Sequence, residues 1–360
     1  MRKTLVRTAL AASSAFLAVP AIAQGTRSVD LTVNEVGISI GDSRRVTGLR
    51  LNFRDLDMRE VRGINATIWS PYEPARGTVK GVALGLPVTG ARHIEGIAVG
   101  LFGMGADETI RGLSIGGVGM GAGEDIRGIA IGGIGMGVGR DLRGLAVGGI
   151  GMGIGQDLLG IAVGGIGMGV GGNMRGVGIG GIGLGVGGNS RGILIGGIGA
   201  GAGGDVEGLS IAGIGIGAGG SVKGLTITGV GMGAGSDVTG VQLAGIGIGA
   251  GGTLKWVSIA GLGIGAPRIV GFAAAAGVGS ENVNGVVFAP IYFKIANHGT
   301  MRGVNISAYN DVRGMQRGLA IGLFNYAREL DGVQIGVINY AGNKSRGTRI
   351  LPIFNYARAR

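Results

Sequence analysis

From Gly112 to Gly252 the chain repeats one sixteen-residue unit without insertion or deletion. The stretch Arg127–Leu142, Arg-Gly-Ile-Ala-Ile-Gly-Gly-Ile-Gly-Met-Gly-Val-Gly-Arg-Asp-Leu, recurs with small changes every sixteen residues, from Gly112 through Gly128 and Gly144 to Gly240. A fixed period of this size marks stacked supersecondary units, each contacting mainly its neighbours. Its large apolar residues are Ile129 and Ile131, then Ile134, Met136 and Val138, then Leu142. Alternation along a strand places 129 and 131 on one face and 134, 136 and 138 on the other. A corner near Gly132 and Gly133 removes the conflict by turning both sets inward. Each unit then reads as two short strands and two turns, one coil of a parallel β-solenoid. This reading leaves outside only Ala130 and the glycines 133, 135, 137 and 139.

Composition agrees with an all-β chain of Gly-rich coils. Glycine supplies 86 of 360 residues and only 15% are charged. Such a chain is disordered or collagen-like when it lacks a schedule. Here Ile, Val, Leu and Met recur on schedule and no Gly-X-Y triplet exists. Each glycine costs a helix about 1 kcal/mol, and charges every sixteen residues exclude a membrane-spanning helix. An alternative makes each unit one strand of about eleven residues plus a turn, with antiparallel neighbours closing as an outer-membrane barrel. Against it, alternation breaks at Gly132-Gly133, and the end Tyr356-Ala-Arg-Ala-Arg360 lacks a terminal aromatic. The solenoid reading gives about nineteen coils, roughly 90 Å at the strand spacing.

Residues 1–23 read as a secretory signal peptide: basic Arg2, Lys3 and Arg7, an apolar middle from Ala9 to Val19, and Ala21-Ile-Ala23 for cleavage. The mature chain then begins near Gln24, exported to the periplasm, outer membrane or cell surface. Without cysteine there is no lipid-attachment Cys, disulfide or thiolate metal site. Loss of the three basic residues takes the net charge from +11 to +8. That excess suits either solubility or acidic partners such as lipopolysaccharide and envelope polysaccharide. Residues 24–47 are a capping segment whose run Val29-Asp-Leu-Thr-Val-Asn-Glu-Val36 forms a capping strand or hairpin.

One repeat array occupies 48–360, regular over 112–255 and irregular in the flanks 48–111 and 256–360. In the first flank, Leu49-Arg-Leu-Asn-Phe53 and Ile64-Asn-Ala-Thr-Ile-Trp69 place real side chains at the outer positions. At Trp256 the expected glycine is missing. The last units, from Gly303, Gly318, Gly332 and Gly347, align with the Gly-rich unit when two residues are dropped from its second turn. Pro87, Pro290 and Pro352 fall just after the first short strand, where a central strand cannot lose its N–H. Asn310, Asn325, Asn339 and Asn355 recur in one slot, where stacked amides bond one another and the local backbone.

The unit Gly-Leu-Ala-Ile-Gly-Leu-Phe-Asn-Tyr-Ala (318–327) and the opening repeats at Gly48 and Arg62 resemble the bacterial surface-repeat family, built from Gly-Leu-Gln-Ile-Gly-Leu-Val-Asn-type units behind a signal peptide. The resemblance covers both flanks. The middle departs from it, with Gly in place of Asn and of the second aromatic. It implies a cell-envelope location and carries over no catalytic residue.

The polar features are ordered but sparse. Arg111, Arg127, Arg143, Arg175 and Arg191 share one slot, a candidate basic stripe for anions. Two residues earlier stand Asp125, Asp141, Asp157, Asn173, Asn189 and Asp205, which suit turns because they bond their own backbone. Gly121-Ala-Gly-Glu-Asp125 is similar to a calcium nonapeptide, but the period is sixteen and Arg127 occupies the slot for a large apolar residue. Met104, Met120, Met136, Met152 and Met168 form a column that later becomes aliphatic, which favours core filling over copper(I). His93 and His298 lack the neighbours of a triad or zinc site. Gly-x-Gly-x-x-Gly arises by chance here and carries no nucleotide reading. Ice binding needs an outward threonine ladder, and only Thr226 and Thr228 pair up.

The sequence therefore predicts an exported, non-catalytic, structural, adhesive or self-associating envelope protein. It assigns no catalytic, cofactor or metal residues and no nucleic-acid partner. The candidate contact face is the bare row Gly133, Gly135, Gly137, Gly149, Gly151, Gly153, Gly165, Gly167 and Gly169. Self-association, envelope polysaccharide or lipopolysaccharide, and the outer membrane are the partners it suggests.

Overall fold

A computed structural model describes residues 28–69, 74–296 and 298–358. The signal-peptide reading of 1–23 lies outside them. The chain divides into two compact units, Met1–Gly188 and Asn189–Arg360. Each is a parallel β-solenoid.

In the first unit, the type coil has a seven-residue strand, Ile126–Gly132, and a four-residue strand, Gly135–Val138. The corner falls at 133–134, close to where the sequence placed it, but it does not turn both apolar sets inward. Each residue pairs in parallel with its equivalent sixteen positions on: Ile126 with Leu142, Ala130 with Ala146, Met136 with Met152. Parallel register between repeats overturns the barrel alternative, which requires neighbouring repeats to run antiparallel. Long strands stack into one sheet and short strands into another, with the core between them.

The inside of the long strand is the reverse of the expected one. Leu142, Met136 and Val138 are buried as expected, but so are Ala130 and Gly132, while Ile129, Ile131 and Ile134 face outward. Core width explains this. The gap is filled by Met and Val from the short strand and Leu from the coil start. A Cβ on Gly132 would come within 3.3 Å of the Met120 side chain, and one on Gly178 within 3.0 Å of Leu184. Opposite such neighbours the room favours a small residue, because interiors pack near crystal density. The Met column at 104, 120, 136, 152 and 168 is accordingly buried.

In most coils the backbone also calls for one glycine. Gly128 has φ of 131°, a region that L-residues rarely enter. A Cβ there would overlap the carbonyl oxygen of Gly112 in the preceding coil.

The first unit is closed by a hairpin. Val29–Val33 pairs antiparallel with Val36–Ile40, which then pairs in parallel with Arg45–Asn52. Asn34 and Glu35 take φ of 50° and 67°, as a two-residue hairpin turn needs. Next to this cap, Arg50, Asn52, Asn65 and Thr67 are buried, not outward as the sequence suggested. Arg50 is paired with Asp55, with Asp42 at 2.7 Å, and with Asn65 Oδ1 at 2.9 Å. Charge taken out of water this way must be fully partnered, and here it plugs the end of the apolar core.

The second unit repeats the two-strand coil from Ser190–Gly196 and Gly199–Ala202 onward. Its later coils carry the asparagine ladder. Asn310 Nδ2 donates to Asn325 Oδ1 at 2.6 Å, and Asn325 Nδ2 to Asn339 Oδ1 at 2.7 Å. The same amides donate to the carbonyls of Ser307 and Gly336 within their own corners. Asn325→Ala strands buried partners on both sides, so it is expected to cost about 3 kcal/mol in denaturant unfolding; an unchanged midpoint would refute the ladder's role.

Beyond Asn339 the stack ends differently from the expected repeat. The chain turns through Arg346–Thr348, and Ile350–Ala357 pairs antiparallel with the strand Phe324–Ala341. Asn355 therefore faces Gln334, and reaches the ladder only through the Asn339 carbonyl at 3.4 Å. Pro87 and Pro290 sit at corners between strands, but Pro352 lies in this terminal strand, beside its register irregularity.

Candidate interaction surfaces

The outer face of the long-strand sheet has the most chemistry available for contact. In one coil Arg127, Ile129 and Ile131 alternate outward, and Ile134 follows at the corner; the isoleucines are 43%, 38% and 50% exposed. In-register pairing makes each a column. The 129 slot continues through Leu145 and Ile161, and the corner slot through Ile150, Ile166 and Ile182. In the second unit the same slots hold Leu225, Ile227 and Val230, then Val241 and Ile246, then Ile259 and Leu262. Three half-exposed aliphatics per coil give roughly 1,000 Å² of apolar surface per unit, above the few hundred Å² usual on a monomer.

Near the end of the second unit this face becomes a groove of about 640 Å³, lined by Phe288, Ile306, Ile321, Leu323 and Ile335, with Ile353 of the terminal strand as a wall. The sequence reading missed this face because it sent these residues inside. The signal was Arg127, which shares parity with Ile129 and Ile131.

The glycine face is where the sequence placed it, with two kinds of glycine. Gly137, Gly151, Gly153 and Gly169 meet nothing within 4 Å of an added Cβ, and Gly135 and Gly167 meet only a carbonyl oxygen at 4.0 and 3.8 Å. These six form the bare outer surface of the short-strand sheet. Gly133, Gly149 and Gly165 are corner residues, where a Cβ would overlap the carbonyl oxygen of the preceding coil's corner glycine. They are required for stacking, whatever the face contacts.

In the second unit the bare rows turn aromatic. Gly277 pairs with Tyr292, which pairs with Tyr309 and then Phe324, and Gly279 is followed by Lys294, Asp311 and Tyr326. The rings stack in pairs, Tyr292 on Tyr309 at 5.6 Å and Tyr326 on Tyr340 at 4.9 Å. Asp311 accepts from the Tyr292 hydroxyl at 3.2 Å and from Arg313 Nε at 3.0 Å. Burial, then the Asp311 charge, pushes the Tyr292 phenol up. Hydrogen bonding to Asp311 raises Arg313 as well.

The arginine column is exposed throughout, at Arg111, Arg127, Arg143 and Arg175 of the first unit and Arg191 of the second. Much of its charge is already paired. Arg111 meets Glu95 at 3.7 Å, Arg127 meets Asp125 at 3.2 Å, and Arg143 meets Asp141 at 3.4 Å. Arg191 shares Glu207 with Lys223, at 2.8 and 3.3 Å, and these two cations hold the Glu207 carboxyl below the usual range.

The acidic slot two residues earlier bonds the next coil, not its own backbone. Asp157 Oδ1 accepts from the N–H of Asn173 at 2.7 Å, Asp205 Oδ1 from Ser221 at 2.7 Å, and Asp237 Oδ1 from Thr253 at 2.7 Å. The Thr253 N–H holds the Asp237 carboxyl below the usual aspartate range. A carboxyl depressed on folding stabilises above its unfolded value, and that stability is lost as pH falls through the folded value. Thermal melts below about pH 4 are thus expected to show a steeper loss for the parent than for Asp237→Asn, which keeps the acceptor and loses the titration. Parallel pH profiles would contradict this.

Searches for relatives of this chain found no matching family model, curated protein or solved structure.

Proposed function

We propose that this is an exported, non-catalytic repeat protein of the bacterial cell envelope that associates with further copies of itself through the outer face of its long-strand sheet. The observation that carries the reading is the set of in-register aliphatic columns held half in water. Leaving that face bare costs about 25 cal/mol per Å². Its extent in each unit, roughly 1,000 Å², is close to the 800 Å² per partner of a stable complex. The likeness of the flanking repeats to the surface-repeat family, and the signal-peptide pattern of 1–23, support the envelope location. Acidic polymers are a weaker partner for the arginine column, because four of its five arginines already pair with Asp or Glu.

Sedimentation of the mature chain over a concentration series tests the reading. Reversible association that survives high salt is expected, since the contact is apolar. A monomer at every concentration removes the basis for self-association, and a monomer that floats with anionic vesicles transfers the face to a lipid surface.

A further inference from the structure

Trp256 stands where every neighbouring coil has glycine. In the second unit that slot holds Gly192, Gly208, Gly224, Gly240, Gly271, Gly285, Gly303 and Gly318, with φ between 115° and 152°. Trp256 pairs in register with Gly240 on one side and Gly271 on the other, and is held at φ of 85°. Positive φ is a strained conformation for a bulky L-residue, and such strain persists only where something compensates for it. Burial within this chain does not: the residue is 67% exposed. No aromatic pair among the described residues includes it.

Pairing with the coils on both sides holds the backbone in that conformation, so the fold carries the strain while the indole itself is left in water. Trp256 belongs to the strand Thr253–Ala260, between Lys255 and Val257, and its coil sends Ile259 and Leu262 outward at 40% and 64% exposure. A large, rigid, exposed indole in a coil that also carries outward aliphatics matches the anchor residues that dominate protein interfaces.

We propose that Trp256 is the anchor of the contact with a second copy of this chain, kept at the cost of a strained backbone. This rests on the self-association reading above and names the residue that dominates it. A second copy is the occupant because the outward aliphatic columns of the same unit offer about the area per partner that a stable dimer needs.

The test is Trp256→Gly in the mature chain, which restores the residue of the surrounding coils. Association in sedimentation is expected to weaken at least tenfold, while the melting midpoint of the dilute monomer rises by about 3 °C as strain is relieved. A purely structural tryptophan would give the opposite shift in melting, and that result overturns the inference. Unchanged association with a self-associating parent also overturns it and leaves the broader reading standing, whereas a parent that never associates removes both. As a second readout, a Trp69→Phe chain leaves Trp256 as the sole indole. Its emission is expected to shift to the blue as concentration rises, and a constant red emission across the association range overturns the anchor role.

Discussion

Gly149→Ala is expected to abolish the stacked fold, whereas Gly153→Ala, four residues on, is expected to raise stability slightly. A Cβ at 149 would overlap the carbonyl oxygen of Gly133, and the same conflict recurs at Gly133 with Gly117 and at Gly165 with Gly149. The obstacle is backbone, which cannot swing aside as a side-chain tip can. That carbonyl also accepts no relief from a local shift, because the coils on both sides are pinned by parallel pairing. Gly149 is not among the positive-φ glycines, so the penalty is one of space alone. Separating the coils enough to admit a methyl would break the bonds of that corner, such as Gly149 N–H to Gly132 O at 2.9 Å and Ile150 N–H to Ile134 O at 2.7 Å. A loss above about 4 kcal/mol, beyond ordinary substitutions, follows. At 153 the added methyl meets nothing within 4 Å, and replacing glycine in a strand recovers roughly 0.5 kcal/mol of chain entropy. Circular dichroism with denaturant titration of the two variants is the measurement. Equal behaviour would mean the corner is not packed as described.

These two glycines also show how far the sequence could be read. Period, corner, parallel stacking, Met column, Asn ladder and N-terminal hairpin all follow from spacing, because in a stack each position repeats its own environment coil after coil. The orientation of the long strand did not follow, because large apolar residues were taken to be inside. That rule runs one way only: apolar side chains supply much of any protein surface. The deciding constraint was parity. Arg127, Ile129 and Ile131 alternate on one side of an unbroken strand, and Ile126, Ala130 and Gly132 on the other. Sending Ile129 inward would have carried Arg127 in with it. The polar occupants of the Ala130 slot misled in the same way. Ser114, Ser210, Thr226 and Gln242 look like surface residues, yet all four are buried, and Thr226 with Thr228 is no outward ladder. The capping Arg50 was illegible for a different reason. Its partners Asp42 and Asp55 come from two loops and Asn65 from the next strand, and no local pattern brings them together.

The orientation of that strand decides which face is the contact, and one pair of variants separates the two candidates. Ile134→Lys, Ile150→Lys and Ile166→Lys combined is expected to dissociate the protein without unfolding it. All three side chains lie at the corner and are 49–50% exposed in the single chain, so lysine can extend into water there at little cost to the coil. In an associated state each isoleucine would bury its remaining surface, worth about 2 kcal/mol. Three lysines forfeit that and place like charges on neighbouring rungs, so affinity should fall by at least about a thousandfold. The matched control, Gly137→Ser, Gly153→Ser and Gly169→Ser, adds side chains where nothing lies within 4 Å and should leave association unchanged. The asymmetry is one of available area: a glycine surface has almost no apolar atoms to remove from water, whereas the aliphatic columns have three side chains per coil. Sedimentation of both variants beside the parent decides the matter. If the serine variant dissociates and the lysine variant does not, the bare glycine row is the contact and the aliphatic face is not.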